Sequence, residues 1–182
     1  MTKAWMLACT ATLLLTACDN KDTPAPTSEK AAEAAGDKTL ASGLGDNPKF
    51  AAAIKAAGLE GALAGPTPYT VLVPNDAAFD KLPAGAVDKL MSPAGRKELT
   101  AVLSNHILPG TMLAADIGKA IDAGGGKTQI ATLGGGTLTA SRSGESIVLA
   151  DSAGTKATVI AADGQRSNGV IHRIDAVLMP ST

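Results

Sequence analysis

Ser167-Asn168-Gly169-Val170-Ile171-His172-Arg173-Ile174-Asp175-Ala176-Val177-Leu178-Met179-Pro180 is a turn signal that runs directly into an apolar segment carrying one histidine. Val170, Ile171, Ile174, Val177 and Leu178 alternate imperfectly with His172, Arg173 and Asp175, which predicts a strand with one face mostly buried. Asn168-Gly169 supplies the turn before it, since both residues tolerate positive φ. Tyr69-Thr70-Val71-Leu72-Val73 is a second such run and reads as a buried strand. Asn75 then caps a short helix containing Ala78, Phe79 and Leu82.

On both sides of Tyr69–Val73 the pattern is helical. Thr39-Leu40 opens a short helix, and Asn47-Pro48 starts the next, with Asn as cap and Pro in the first turn. Phe50, Ile54 and Ala57 then share a face, and Gly58 stops the helix. Leu59 to Ala64 predicts a further short turn of helix, and Pro83 begins one carrying Val87 and Leu90. Ser92-Pro93 repeats the cap-plus-proline start ahead of the stripe Leu99, Val102 and Leu103, with His106 near that helix end. The chain bends at Pro109-Gly110, and Met112 to Ile121 forms a strand entry and a short helix. After Gly124 the character changes: Thr128–Thr132, Gly136–Arg142, Ser146–Ala150 and Lys156–Ala162 alternate between glycine-rich turns. A helical half followed by a β-meander predicts an α+β domain.

Three segments resemble the signatures of fasciclin-type (FAS1) domains, in family order. Tyr69–Phe79 is similar to the first signature, Leu103-Ser104-Asn105-His106-Ile107-Leu108-Pro109-Gly110 to the central histidine segment, and the closing strand to the last. The resemblance spans most of residues 38–180 and implies a compact wedge-like β-sandwich, two sheets flanked by several small helices, in one copy. It also implies a non-enzymatic binding or adhesion role. In animal members a tyrosine before the histidine, and an acidic residue and proline before an aspartate near the last signature, are tied to integrin recognition. Here those places hold Asn105 and Ala161-Ala162-Asp163, so only Asp163 corresponds and that partner does not transfer.

The N-terminus reads as a processing segment. Lys3 precedes an apolar run from Ala4 to Ala17, too short for a comfortable membrane span, which ends in Leu15-Thr16-Ala17-Cys18. This looks like a bacterial lipobox, so residues 1–17 are expected to be cleaved and Cys18 to carry lipid. Asp19 resembles the signal that retains lipoproteins in the inner membrane; the alternative is export to the cell surface. Residues 18–36, rich in Pro, Ala, Thr, Ser and charge, form a tether, leaving 37–182 as one domain. Cys9 leaves with the signal, so no disulfide is expected, and about 140 residues suffice for a single core without staples.

Composition narrows the partners. Removing Lys3 leaves 15 basic and 17 acidic residues, a formal charge of −2, which provides no footprint for nucleic acid. Only Phe50, Tyr69 and Phe79 remain as aromatics after Trp5 is lost, so stacking platforms are scarce. Gly124-Gly125-Gly126-Lys127-Thr128 superficially suggests a phosphate loop, but Ile121 stands where the required first glycine belongs.

No cofactor, metal or catalytic residue is expected. His106 and His172 are too far apart, and the carboxylates too scattered, for recognisable zinc spacing, and no nucleophile elbow surrounds any serine. Both histidines read as half-buried hydrogen-bonders, with Asp76 as the acid expected near one of them. Asn75, Asp76, His106, Asn168, Gly169 and His172 are therefore structural positions and Cys18 is the lipid site. The partners expected are the membrane, through that lipid, and an envelope or extracellular protein or polysaccharide, met near Leu108–Ala114 and Asp163–Gly169. The rival reading is a periplasmic carrier of a small apolar ligand held near Met91, Met112 and Leu113.

Overall fold

A computed structural model describes residues 38–180. The signal, the Cys18 site and the tether therefore lie outside the described residues. Seven strands make one hydrogen-bonded order, β2-β1-β7-β6-β5-β4-β3. They are β1 (Tyr69–Pro74), β2 (Ile107–Pro109), β3 (Lys127–Ala131), β4 (Thr137–Ser143), β5 (Ser146–Ala150), β6 (Lys156–Arg166) and β7 (Gly169–Ile174). The α-helices are α1 (Leu40–Gly43), α2 (Pro48–Ala57), α3 (Glu60–Ala64), α4 (Asp76–Asp80), α5 (Ala86–Met91), α6 (Arg96–Asn105) and α7 (Ala114–Ala123).

The two expected sheets are two halves of this order, and β6 belongs to both. Val148, Leu149 and Ala150 of β5 pair with its first residues, whereas Val159 onward pairs with β7. Register shifts between Val159 and Ala161 and between Ala161 and Gly164 bend the strand where it changes partner. The bulges also explain why alternation is unreadable past Ala162, although β6 continues to Arg166.

β1 and β7 pair in parallel, Leu72 opposite His172, and both are buried on two faces. That corrects the expectation of one buried face and explains the imperfect alternation, because doubly covered strands read as continuous apolar runs. Val71, Val73 and Ile171 enter a core built with α1, α2, α5 and α6, around Leu40, Phe50, Ile54 and Leu103. Leu72 and Ile174 enter a second core with Ile117, Ile121, Leu138 and Leu149. Successive side chains on one strand thus serve two cores.

Some helix ends follow local chemistry and others do not: α5 begins at Ala86 rather than at Pro83, and α4 ends at Asp80, before Leu82. Thr39, Asn75 and Ser92 accept from the backbone N–H of Ser42, Ala78 and Gly95. Asn47 precedes Pro48 as expected but makes no side-chain cap, since its backbone (φ −131°, ψ 79°) lies outside the extended region that aims a cap inward. Gly58 stops α2 in the left-handed region at φ 75°. The glycine triplet Gly124–Gly126 is a turn from α7 into β3 rather than a phosphate cradle.

The turn before β7 also differs from its sequence reading. Arg166 pairs with Gly169, so the central turn residues are Ser167 and Asn168, and Asn168 has no positive φ. Its value is tertiary. The buried Asn168 side chain accepts from Leu40 N–H at 2.7 Å and donates to the carbonyls of Leu63 at 2.8 Å and Gly65 at 2.6 Å. One amide therefore joins α1, the end of α3 and the β6–β7 turn. Gly169 sits at φ 150° against Tyr69 O, where a Cβ would collide with the β1 backbone.

Candidate functional site

His172 projects from the middle of β7 into the layer between the closing hairpin and the loop before α7. Its Nδ1 accepts from Asp163 N–H at 3.2 Å, which places the ring proton on Nε2, and Nε2–H donates to Met112 O at 2.8 Å. Asp163 is at φ 58°, the one non-glycine residue with positive φ among those described. A short polar side chain tolerates that backbone. The Asp163 carboxylate accepts from Ala114 N–H at 2.8 Å and so satisfies a free donor at the start of α7. Thr70 Oγ1 accepts from Met112 N–H and donates to Gly110 O, each at 2.8 Å. The two segments expected to make contact, 108–114 and 163–169, are thereby fastened into one surface.

Part of that expected surface is internal. Leu108, Asn168 and Gly169 are buried, so of the expected segments Pro109–Ala114 and Asp163–Ser167 stay at least partly exposed, and the adjoining β6 bulge residues Ile160 to Ala162, outside the expected range, are exposed beside them. Ile160 is 51% exposed and supplies an apolar contact point on that bulge.

His106 is the C-cap of α6 and is wholly buried. Nε2 accepts from Leu178 N–H at 3.1 Å, which puts its proton on Nδ1, and Nδ1–H donates to Val102 O at 2.8 Å. The two histidines thus hold opposite tautomers, each with both nitrogens engaged by backbone. Burial pulls the His106 imidazole down to about 4, against the opposing pull of Val102 O and the Asp151 charge. Burial also lowers His172, opposed by Met112 O and Asp163. Ser104 has no free imidazole to activate it, since the nitrogens of His106 are already committed.

The acids near the histidines are Asp151 and Asp163, not Asp76, which corrects the sequence expectation. Asp76 is the first residue of α4, with one buried carboxylate oxygen that finds no partner among the described residues. A carboxylate suits a helix start electrostatically, which explains its place without a histidine. Asp151 instead accepts from Thr155 and Met179 N–H, each at 2.8 Å, and with His106 pins the C-terminal segment. Asn105, at the position where animal relatives carry tyrosine, is buried and accepts from Thr132 Oγ1 at 3.1 Å. It belongs to the packing of the β3–β4 turn, not to a surface.

Beside His106 the helical core opens into a cavity of about 330 Å³. Met91 lines it, but Met112 and Leu113 do not, because Met112 packs against the other core. Among the described residues no cluster of three or more His, Cys, Asp or Glu could hold a metal ion, and no helix is long and apolar enough to cross a membrane.

Fold and ties together define an α+β scaffold that presents a bulged strand and a short loop as one stiff patch. The chain belongs to the fasciclin family: the Fasciclin domain model matches residues 45–180. It is 39% identical over 129 residues to Protein sll1483 of Synechocystis sp., covering 71% of this chain and 64% of that one. It is 32% identical over 112 residues to the cell surface glycolipoprotein MPB83 of Mycobacterium bovis, covering 62% and 44%. Its structure is similar to a FAS1 domain pair of the insect cell adhesion molecule Fasciclin I, with TM-score 0.58 and 23% identity, covering 72% of this chain and 44% of that one. The chain thus spans less than two thirds of the length of each of these proteins.

Proposed function

We propose that the protein is a non-enzymatic binding module of the adhesion type, lipid-anchored through Cys18 to a bacterial envelope, with Asp19 favouring the inner membrane. Its partner is a protein or an envelope polymer. The observation that carries the reading is the Asp163–His172–Met112 tie, which spends both imidazole nitrogens on stiffening an exposed patch. A surface organised in this way binds at low entropic cost. Two similarities support it: MPB83 is described as a cell surface glycolipoprotein, and Fasciclin I as a cell adhesion molecule.

Mass spectrometry of protein from its native host is expected to show loss of residues 1–17 and diacylglycerol on Cys18; a soluble form with a free Cys18 thiol contradicts the anchor. The full chain should bind isolated envelopes saturably, and glycan digestion of those envelopes decides between polymer and protein. Ile160→Asp should weaken binding at least tenfold with unchanged melting, whereas Leu133→Asp, at an exposed apolar residue on the β3–β4 turn, should not. Equal binding by wild type and Ile160→Asp overturns the patch, and saturable binding to neither digested nor intact envelopes overturns the module.

A further inference from the structure

We propose that the cavity beside His106 is a binding site for a single medium-length aliphatic chain, such as the acyl tail of a fatty acid or an alcohol. Burial runs from floor to lip. Phe50, Ala53, Val102, Leu103, His106 and Val177 close the bottom and are buried, while Lys49, Ala52, Asp88 and Met91 stand exposed at the mouth. The pit is drawn from α2, the end of β1, α4 and the loop after it, α5, α6 and the C-terminal segment.

The chemistry of the lining selects the occupant. Lys49, Asp88 and His106 are its only side chains that carry charge or hydrogen-bonding groups, and both nitrogens of His106 are bonded to backbone. The floor offers no free side-chain donor or acceptor to hold a water, which favours an apolar guest. A polar guest group would find no free side-chain partner there, which disfavours sugars and nucleotides in the interior. A cavity of about 330 Å³ has room for one medium-length aliphatic chain. The cavity is lined by buried residues on one side and exposed residues on the other, a depth that suits a chain entering end-on. The polar end of the guest stays at the lip, where Lys49 and Asp88 meet solvent. Phe50, tilted 60° to the His106 ring at 6.1 Å, forms a wall that the histidine's backbone bonds hold in place.

The test titrates decanol, and separately decanoate, into the full chain and follows methyl resonances. Saturable one-to-one shifts at Val87, Met91, Val102 and Leu103 are expected, with a rise in melting temperature that grows with ligand concentration. Decanol binding as tightly as decanoate assigns recognition to the tail, and preference for decanoate adds Lys49 as the head-group contact. Ala53→Leu fills the floor and should weaken binding at least tenfold while the fold persists. If that variant does not fold, Met91→Lys, at an exposed lip residue, replaces it with the same expectation. Absence of saturable shifts up to the solubility limit, shifts confined to Leu133 or Ile160, or undiminished binding by the folded cavity variant overturns the site.

Discussion

Asn168→Ala is expected to lower stability by about 3–5 kcal/mol, because it strands Leu40 N–H and the carbonyls of Leu63 and Gly65 at once. Against a typical total of about 5–15 kcal/mol this is a large fraction, and the melting temperature should fall by roughly 10–20 °C. Asn168→Asp should be comparably damaging. It keeps an acceptor for Leu40 N–H but turns the donor pair into an oxygen facing two carbonyls. Gly169→Ala should act with it, since its Cβ would meet Tyr69 O and part the β1–β7 pairing. Chemical denaturation of the three variants checks this, and a loss under 1 kcal/mol for Asn168→Ala contradicts the three-way amide.

The second large effect is acid sensitivity. His106 titrates near 6.5 when unfolded and near 4 when folded, so above pH 6.5 both states are neutral and its contribution is fully present. As pH falls below 6.5 the unfolded chain takes up a proton that the folded chain refuses, and stability drops by about 1.4 kcal/mol per pH unit until the folded pKa is reached. The loss from His106 alone is about 3 kcal/mol between pH 6.5 and 4. His172, lowered in the same direction, adds to it. Urea unfolding across this range should show a shallower slope for His106→Gln, which carries an amide in place of the imidazole and is less stable at pH 7. Identical slopes for the two proteins contradict a buried neutral His106.

Much of the scaffold was legible because its signals are local. The apolar runs of β1 and β7, the caps at Thr39, Asn75 and Ser92, and the stop at Gly58 each depend on a few neighbouring residues. What escaped was set by distant partners. Asn168 looked like turn chemistry, yet its amide works through residues more than a hundred positions away. Asp76 sits in the cap of a helix within a signature segment, which suggests a histidine neighbour, whereas Asp151 and Asp163 reach those sites through folding of the β-half. Asp163-Gly164 did carry a readable trace of the bend, since aspartate accepts the left-handed region more readily than most residues. Nothing in the spacing of Phe50, Leu82 and Val102 announces a cavity, because a void is a property of packing among several distant segments.

Both imidazoles are bonded at each nitrogen and held neutral as structural ties, the arrangement on which the proposed binding role rests. Long-range ¹⁵N–¹H NMR of the histidine rings measures this directly. The predicted result is a proton on Nδ1 of His106 and on Nε2 of His172, with the His106 ring still neutral at pH 5.5. A His106 ring that titrates near 6.5, or exchanges its tautomers freely, would contradict it.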